Sequence, residues 1–204
     1  MLRFTPTSSF EQGTEGLVRD LSEAQFRQIK ATYYGMIAEV DYQLGRAFDA
    51  IKARGDWDDT LIVFTSDHGE MMGNHYAFGK GGYFDGSQHI PLVIRDPRSK
   101  VRGQKFTAFT ESIDIFPTLL EAVGGEPLHR PDSRSLSPFL NGTTPAKWRD
   151  AVHWEFDFRE VTSQAAERWF GLSSTQCNMA VIRTSKWKYV HFAALPPVLF
   201  DLEA

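Results

Sequence analysis

The sequence predicts an α/β fold that carries a small antiparallel sheet toward its C-terminal end. Three observations predict it. Apolar residues recur every three and four positions from Phe26 to Ile51. An unbroken branched run follows at Thr60 to Thr65, and after residue 150 come short aromatic and β-branched segments separated by turns. The first pattern marks an amphipathic helix. The second suits a strand covered on both faces, as in a parallel sheet flanked by helices. The third suits antiparallel strands. Composition permits a packed core, since 42% of the 204 residues are hydrophobic and 16 are phenylalanine, unlike a disordered chain.

Residues 1–20 form a polar lead-in without periodicity. Ser22-Glu23-Ala24-Gln25 has the Ser-x-x-Gln form of a capping box, with Ser22 as N-cap. Phe26, Ile29, Tyr33, Ile37, Val40, Leu44, Phe48 and Ile51 then share one face over about eight turns. Gly55 suits the left-handed position that ends such a helix. A helix feeding the strand at Thr60–Thr65 is half of a βαβ unit. The loop from Ser66 to Ser87 holds six glycines and is long for a compact domain, which points to function. Ile90–Ile94 is a second strand, ended by Arg95-Asp96-Pro97. Ser112–Val123 reads as a helix with Ile113, Phe116, Leu119, Leu120 and Val123 inward and Pro117 tolerated near its start. Ser135–Leu140 suggests one helical turn. Ala151–Phe158, Asn178–Thr184, Trp187–Phe192 and Val198–Leu202 supply the strands of the small sheet, while Glu160–Thr175 has no clear period.

Several function classes are disfavoured at once. The net charge is -4 and the basic residues are scattered, so nothing suggests a nucleic-acid partner. The one cysteine, Cys177, allows no intrachain disulfide and no cysteine-based metal cluster. It falls in a predicted strand and reads as an inert, buried thiol. The stretch MLRFTPTSSFEQGTEG has no apolar segment of the signal-peptide kind, which favours cytoplasm over periplasm. No apolar run approaches the ~20 residues needed to span a membrane. A homo-oligomer stays open.

The chemistry gathers at Thr60–His75, TLIVFTSDHGEMMGNH. Ligand sites in open α/β sheets lie at the carboxyl ends of strands. Asp67 and His68 sit at such an end, and carboxylate and imidazole both bind divalent cations. Gly69 lets the backbone turn closely behind them. Lys80, in Phe78-Gly79-Lys80-Gly81-Gly82, shares the loop and could neutralise an anionic substrate. On spacing alone, Asp-His-Gly after a strand is more often a plain turn, Lys80 a solvated lysine, His75 and His89 ordinary loop histidines, and Glu70 a solvent-facing carboxylate.

The stretch as a whole, TLIVFTSDHGEMMGNHYAFGKGGYFDGSQHIPLVIRDP, resembles the sulfatase branch of the alkaline phosphatase superfamily. The helix YYGMIAEVDYQLGRAFDAIKARGDWDDT looks like the long helix that leads to this strand in the family. HWEFDFRE and CNMAVIRTSKWKYVHFAALPPVLFDL look like the phosphonate monoester hydrolase and arylsulfatase group. The resemblance covers residues 22 to 202. It implies part of an alkaline-phosphatase-like α/β/α sandwich, with residues 1–150 in the α/β core and 151–204 in a small antiparallel β subdomain. It also implies a metal-dependent hydrolase of phosphonate, phosphate or sulfate esters that acts on a small anionic ester substrate.

Carried over position by position, Asp67 and His68 match metal ligands for one divalent cation (Mn, Ca or Zn). Lys80 matches the catalytic lysine that also contacts the substrate's anionic group. His75 matches a recurrent histidine that we carry as a substrate-binding candidate. Asn74 departs from the aspartate usual in the family's Gly-Asp-His turn. The family's nucleophile is a formylglycine made from a Cys-x-Pro-x-Arg or Ser-x-Pro-x-Arg motif, and neither occurs here. The first pair of metal ligands and a substrate-binding histidine are also unmatched. The resemblance therefore implies a C-terminal portion that is inactive alone, with the nucleophile upstream. Two alternatives stand beside it: a non-catalytic remnant with a structural or binding role, and a phosphotransferase relative that uses a Ser or Thr nucleophile.

Overall fold

A computed structural model describes residues 21–126 and 132–204, so the polar lead-in at 1–20 lies outside the described residues. Helix α1, Glu23–Ala53, begins on the expected capping box. Ser22 Oγ accepts from Gln25 N at 3.3 Å, and Gln25 Oε1 accepts from Ser22 N at 2.9 Å. Gly55, at φ +81°, donates to Lys52 O, and Asp56 N donates to Ile51 O. That pair of bonds satisfies the last carbonyls of the helix. The face predicted to point inward is mostly uncovered. No residue of α1 is fully buried, and Ile29, Ile37 and Val40 are exposed. Among the described residues the helix meets aromatic partners through Phe26 with Phe78 and Phe48 with Trp57. Periodicity reports which face is apolar, not whether a neighbour covers it.

Strands β1, Ile62–Thr65, and β2, Leu92–Arg95, form a two-stranded sheet. They pair antiparallel, Ile62 with Arg95 through Thr65 with Leu92, which corrects the expected parallel pairing. Nor is the pair covered on both faces, since Val93 is 60% exposed and Phe64 also faces out. A continuous apolar run signals strand propensity and does not fix strand direction. Here the chain between the strands is folded into turns and the one-turn helix α2, Asp85–Gln88.

Helix α3, Ile115–Ala122, follows a 3-10 turn at Ser112–Asp114, and the one-turn helix α4 spans Ser137–Leu140. The inward face of α3 is again corrected. Ile113, Phe116, Leu119 and Val123 are exposed, while Asp114, Pro117 and Thr118 are buried. The polar face wins because it is bonded. Arg149 grips Asp114 with two guanidinium bonds, at 2.5 and 2.7 Å, and Arg134 N donates to the same carboxylate. Thr118 Oγ1 donates to Asp114 O and accepts from Leu136 N.

The C-terminal region matches expectation closely. Strands β3 (Ala151–Asp157), β4 (Asn178–Thr184), β5 (Trp187–Phe192) and β6 (Val198–Asp201) form an antiparallel meander in chain order. The burial of β5, and of β4 as far as Ile182, alternates residue by residue, as strands with one covered face require. Between β3 and β4 lies helix α5, Ala165–Phe170, in the stretch without a clear sequence period. The core comprises Phe158, Ala166, Cys177, Met179, Val181, Val190 and Phe192, with Tyr83, Trp154 and Phe200 packed against it. Cys177 precedes β4 by one residue, is fully buried, and has its thiol pKa pushed up by that burial. Tyr83 carries the glycine-rich loop into this core, and Trp154 Nε1 donates to Gly82 O at 3.2 Å.

Candidate active site

The chain leaves β1 at Thr65 and turns at once. Ser66 Oγ donates to His68 O at 2.6 Å, and His68 N donates to Asp67 Oδ1 at 3.0 Å. The second contact keeps the Asp67 carboxyl below the usual carboxylate range, helped by the nearby Lys80 ammonium. Asp67 is an exposed anion at neutral pH. His68 Nδ1 lies 2.9 Å from Gly69 O. A carbonyl can only accept, so Nδ1 carries the hydrogen and the Nε2 lone pair is presented outward. That lone pair lies 3.4 Å from Asp67 Oδ2 and accepts from Lys80 Nζ. Three side chains singled out from sequence thus converge, two from the strand end and one from twelve residues on.

The loop between them is closed by its own bonds. Met71 N donates to Gly79 O at 2.7 Å, and Gly79 N donates to Glu70 Oε1. Glu70 is therefore half-buried and structural, not a free solvent-facing carboxylate. At Gly73, φ is +89° and a side chain would run into the Phe26 ring at 2.1 Å, so the loop also sits directly against α1. His75 holds a positive φ of 55° and stacks on Phe84, with ring centroids 4.1 Å apart. It is placed by that stack and not by the convergent trio. Sequence reading missed Glu70 and also Ser87, which is fully buried behind the site. Ser87 gives no sequence signal, because a lone serine before Gln-His is indistinguishable from a loop residue.

The donor set fits a divalent cation. One carboxylate oxygen and one imidazole nitrogen lie 3.4 Å apart, and the other imidazole nitrogen is fixed by a backbone carbonyl, as in many metal-bound histidines. In this arrangement the Lys80 ammonium uses the imidazole lone pair, so a cation would require the exposed lysine to move aside. Among the described residues, no group of three or more His, Cys, Asp or Glu side chains forms a fuller metal site.

Comparison with known proteins places the chain in a family. A sulfatase family model matches residues 3–125, and a model of the N-sulphoglucosamine sulphohydrolase C-terminal region matches residues 73–203. The chain is 49% identical over 197 residues to the multifunctional alkaline phosphatase superfamily protein PehA of Trinickia caryophylli, covering 96% of this chain and 38% of that protein. It is 31% identical to arylsulfatase K of Xenopus laevis, covering 98% of this chain and 36% of that protein. The structure of the phosphonate monoester hydrolase of Agrobacterium radiobacter superposes with a TM-score of 0.86 at 56% identity, over 94% of this chain and 38% of that one. The chain thus spans somewhat over a third of the length of the relatives it matches. Family models match both halves of the chain, and its relatives carry the same family's names: the chain belongs to the sulfatase family.

Proposed function

We propose that this chain is part of a metal-dependent hydrolase of phosphonate, phosphate or sulfate esters. The observation that carries the reading is the convergence of Asp67, His68 and Lys80 at the end of β1 in a sulfatase-family chain. Asp67 Oδ2 and His68 Nε2 would hold one divalent cation. Once bound, that cation supplies Lewis-acid stabilisation of charge at the attacked centre and on a formylglycine nucleophile. Lys80, released from the imidazole, would pair with the anionic ester group. His75 would meet substrate through its exposed ring, held by the Phe84 stack. The 204 residues contain no nucleophile motif of the family, so catalysis would need that motif supplied alongside them. We also take residues 1–150 as the α/β part and 151–204 as the β part. Support for that division comes from the separate hydrogen bonding of β1–β2 and β3–β6.

Titration of the 204-residue chain with Mn2+, followed by water-proton relaxation, tests the ligand assignment. Two side chains leave most of the cation's shell to water, so binding on the order of millimolar is expected. Asp67→Ala and His68→Ala should each weaken it. Binding that survives unchanged in the double variant would refute the site.

A further inference from the structure

We propose that Ser87 is a positioning residue that fixes Lys80 and His68 relative to one another. The inference rests on the reading of that trio as the site. Ser87 is fully buried and touches both arms of the loop. Its carbonyl accepts from Gly69 N at 2.8 Å, immediately after His68. Its hydroxyl accepts from Gly81 N at 3.1 Å, immediately after Lys80. One residue therefore sets the separation of the two segments whose side chains meet at the imidazole.

Ser87 is itself held from behind. Its amide donates to Phe84 O, and two residues earlier Asp85 accepts from Lys188 Nζ and Arg183 Nε, each at 3.1 Å. Arg183 and Lys188 stand opposite one another on β4 and β5. Like charges in that position repel, and the Asp85 carboxylate between them relieves the repulsion. Asp85 is thus fixed by two cations that need it, and Lys188 is buried. Backbone packing closes the assembly, since a side chain at Gly69 would meet Gly86 O at 2.1 Å and one at Gly86 would meet Met71 Sδ at 2.8 Å. The sequence carries no trace of this link, because Arg183 and Lys188 lie about a hundred residues from Asp85.

The test uses the 204-residue chain and Ser87→Ala, which removes the hydroxyl and leaves the carbonyl bond to Gly69. Imidazole nitrogen NMR of His68 reports its contact with Lys80 without any metal. Amide exchange reports the rest of the fold. The expected result is a loss of Gly81 protection of about five- to tenfold, the scale of one buried hydrogen bond. The His68 Nε2 resonance should move with it while Val181 and Val190 keep full protection. A residue that only fills space would leave the imidazole unmoved, and an unmoved Nε2 resonance in the folded variant overturns the assignment. Should Ser87→Ala fail to fold, Asp85→Asn loosens the same turn from the sheet side and is read by the same resonance with the same two outcomes. Mn2+ binding that Asp67→Ala leaves unchanged would instead overturn the site reading, and the imidazole result would still decide the role of Ser87.

Discussion

Gly69→Ala isolates the close approach on which the site is built. Its φ is not left-handed, so alanine meets no backbone strain there and the effect is steric alone. The added Cβ would lie 2.1 Å from Gly86 O, 3.1 Å from Gly86 C and 3.3 Å from Ser87 C. An ordinary C···O contact is about 3.3 Å, so the two backbone segments must part by roughly 1.2 Å. The Gly69 N to Ser87 O bond, 2.8 Å long, would then stretch to about 4 Å and be lost. Overpacking of this kind costs about 1–3 kcal/mol, and an unmade buried hydrogen bond adds about 1. A loss of about 2–4 kcal/mol is expected, read as a fall of about 1 M or more in the urea midpoint. Gly35→Ala is the control. It sits mid-α1 with nothing within 4 Å, so alanine should stabilise by about 0.5–1 kcal/mol. Equal midpoints for Gly69→Ala and the wild type would refute the contact.

Four further outcomes follow from named groups. Asp114→Ala leaves the buried Arg149 with Glu111 as its remaining carboxylate partner, and should cost about 3–5 kcal/mol in chemical unfolding; a cost below about 1 would show that the pair is not desolvated. Asp85 would be pushed up by burial, but Lys188 and Arg183 outweigh it and its pKa is lowered. Its contribution to stability is therefore complete above the unfolded carboxylate pKa of about 3.9 and is lost as pH falls through the lower folded value, which Asp85→Asn should abolish in unfolding against pH. Burial pushes the Cys177 thiol up, so iodoacetamide should label it in urea and barely label it in the native chain at neutral pH; rapid native labelling would contradict its burial. In a protein that joins this chain to the family's nucleophile motif, Asp67→Ala and His68→Ala should each remove most ester turnover, and Lys80→Ala should lower kcat on anionic esters; wild-type rates for Asp67→Ala would show the ligand assignment to be wrong.

How much was legible depends on the range of the interaction. The capping box at Ser22 and Gln25, the stop at Gly55, and strands β4 and β5 were readable to the residue, because each is decided within four positions of chain. Asp67, His68 and Lys80 were singled out by the resemblance of the whole stretch Thr60–Pro97 to a known family and not by spacing, and the structure brings their side chains together. Strand direction was not readable, because Ile62–Thr65 carries the same apolar run whichever way its neighbour points. The faces of α1 and α3 were misjudged for a different reason. Hydrophobicity marks Ile37, Val40, Phe116 and Val123 as apolar, but burial needs a covering surface, and on α3 the buried face is decided by Arg149, thirty-five residues from Asp114.

The turn from Tyr83 to Ser87 shows why local chemistry can be readable while its support is hidden. Each of its anchors reaches a distant partner: Tyr83 enters the core beside Phe192 and Phe200, Asp85 is claimed by Arg183 and Lys188, and Ser87 bonds the residues that follow His68 and Lys80. Motif chemistry must be carried by residues of fixed type, since only certain atoms can ligate or neutralise charge. Support needs only a polar atom in the right place, and a serine or an aspartate in a loop serves without any pattern around it. The small C-terminal sheet is accordingly more than an appendage to the site. Through five residues it sets where Lys80 stands, and a disturbance at Lys188 should reach the imidazole of His68 without any residue of the loop being changed.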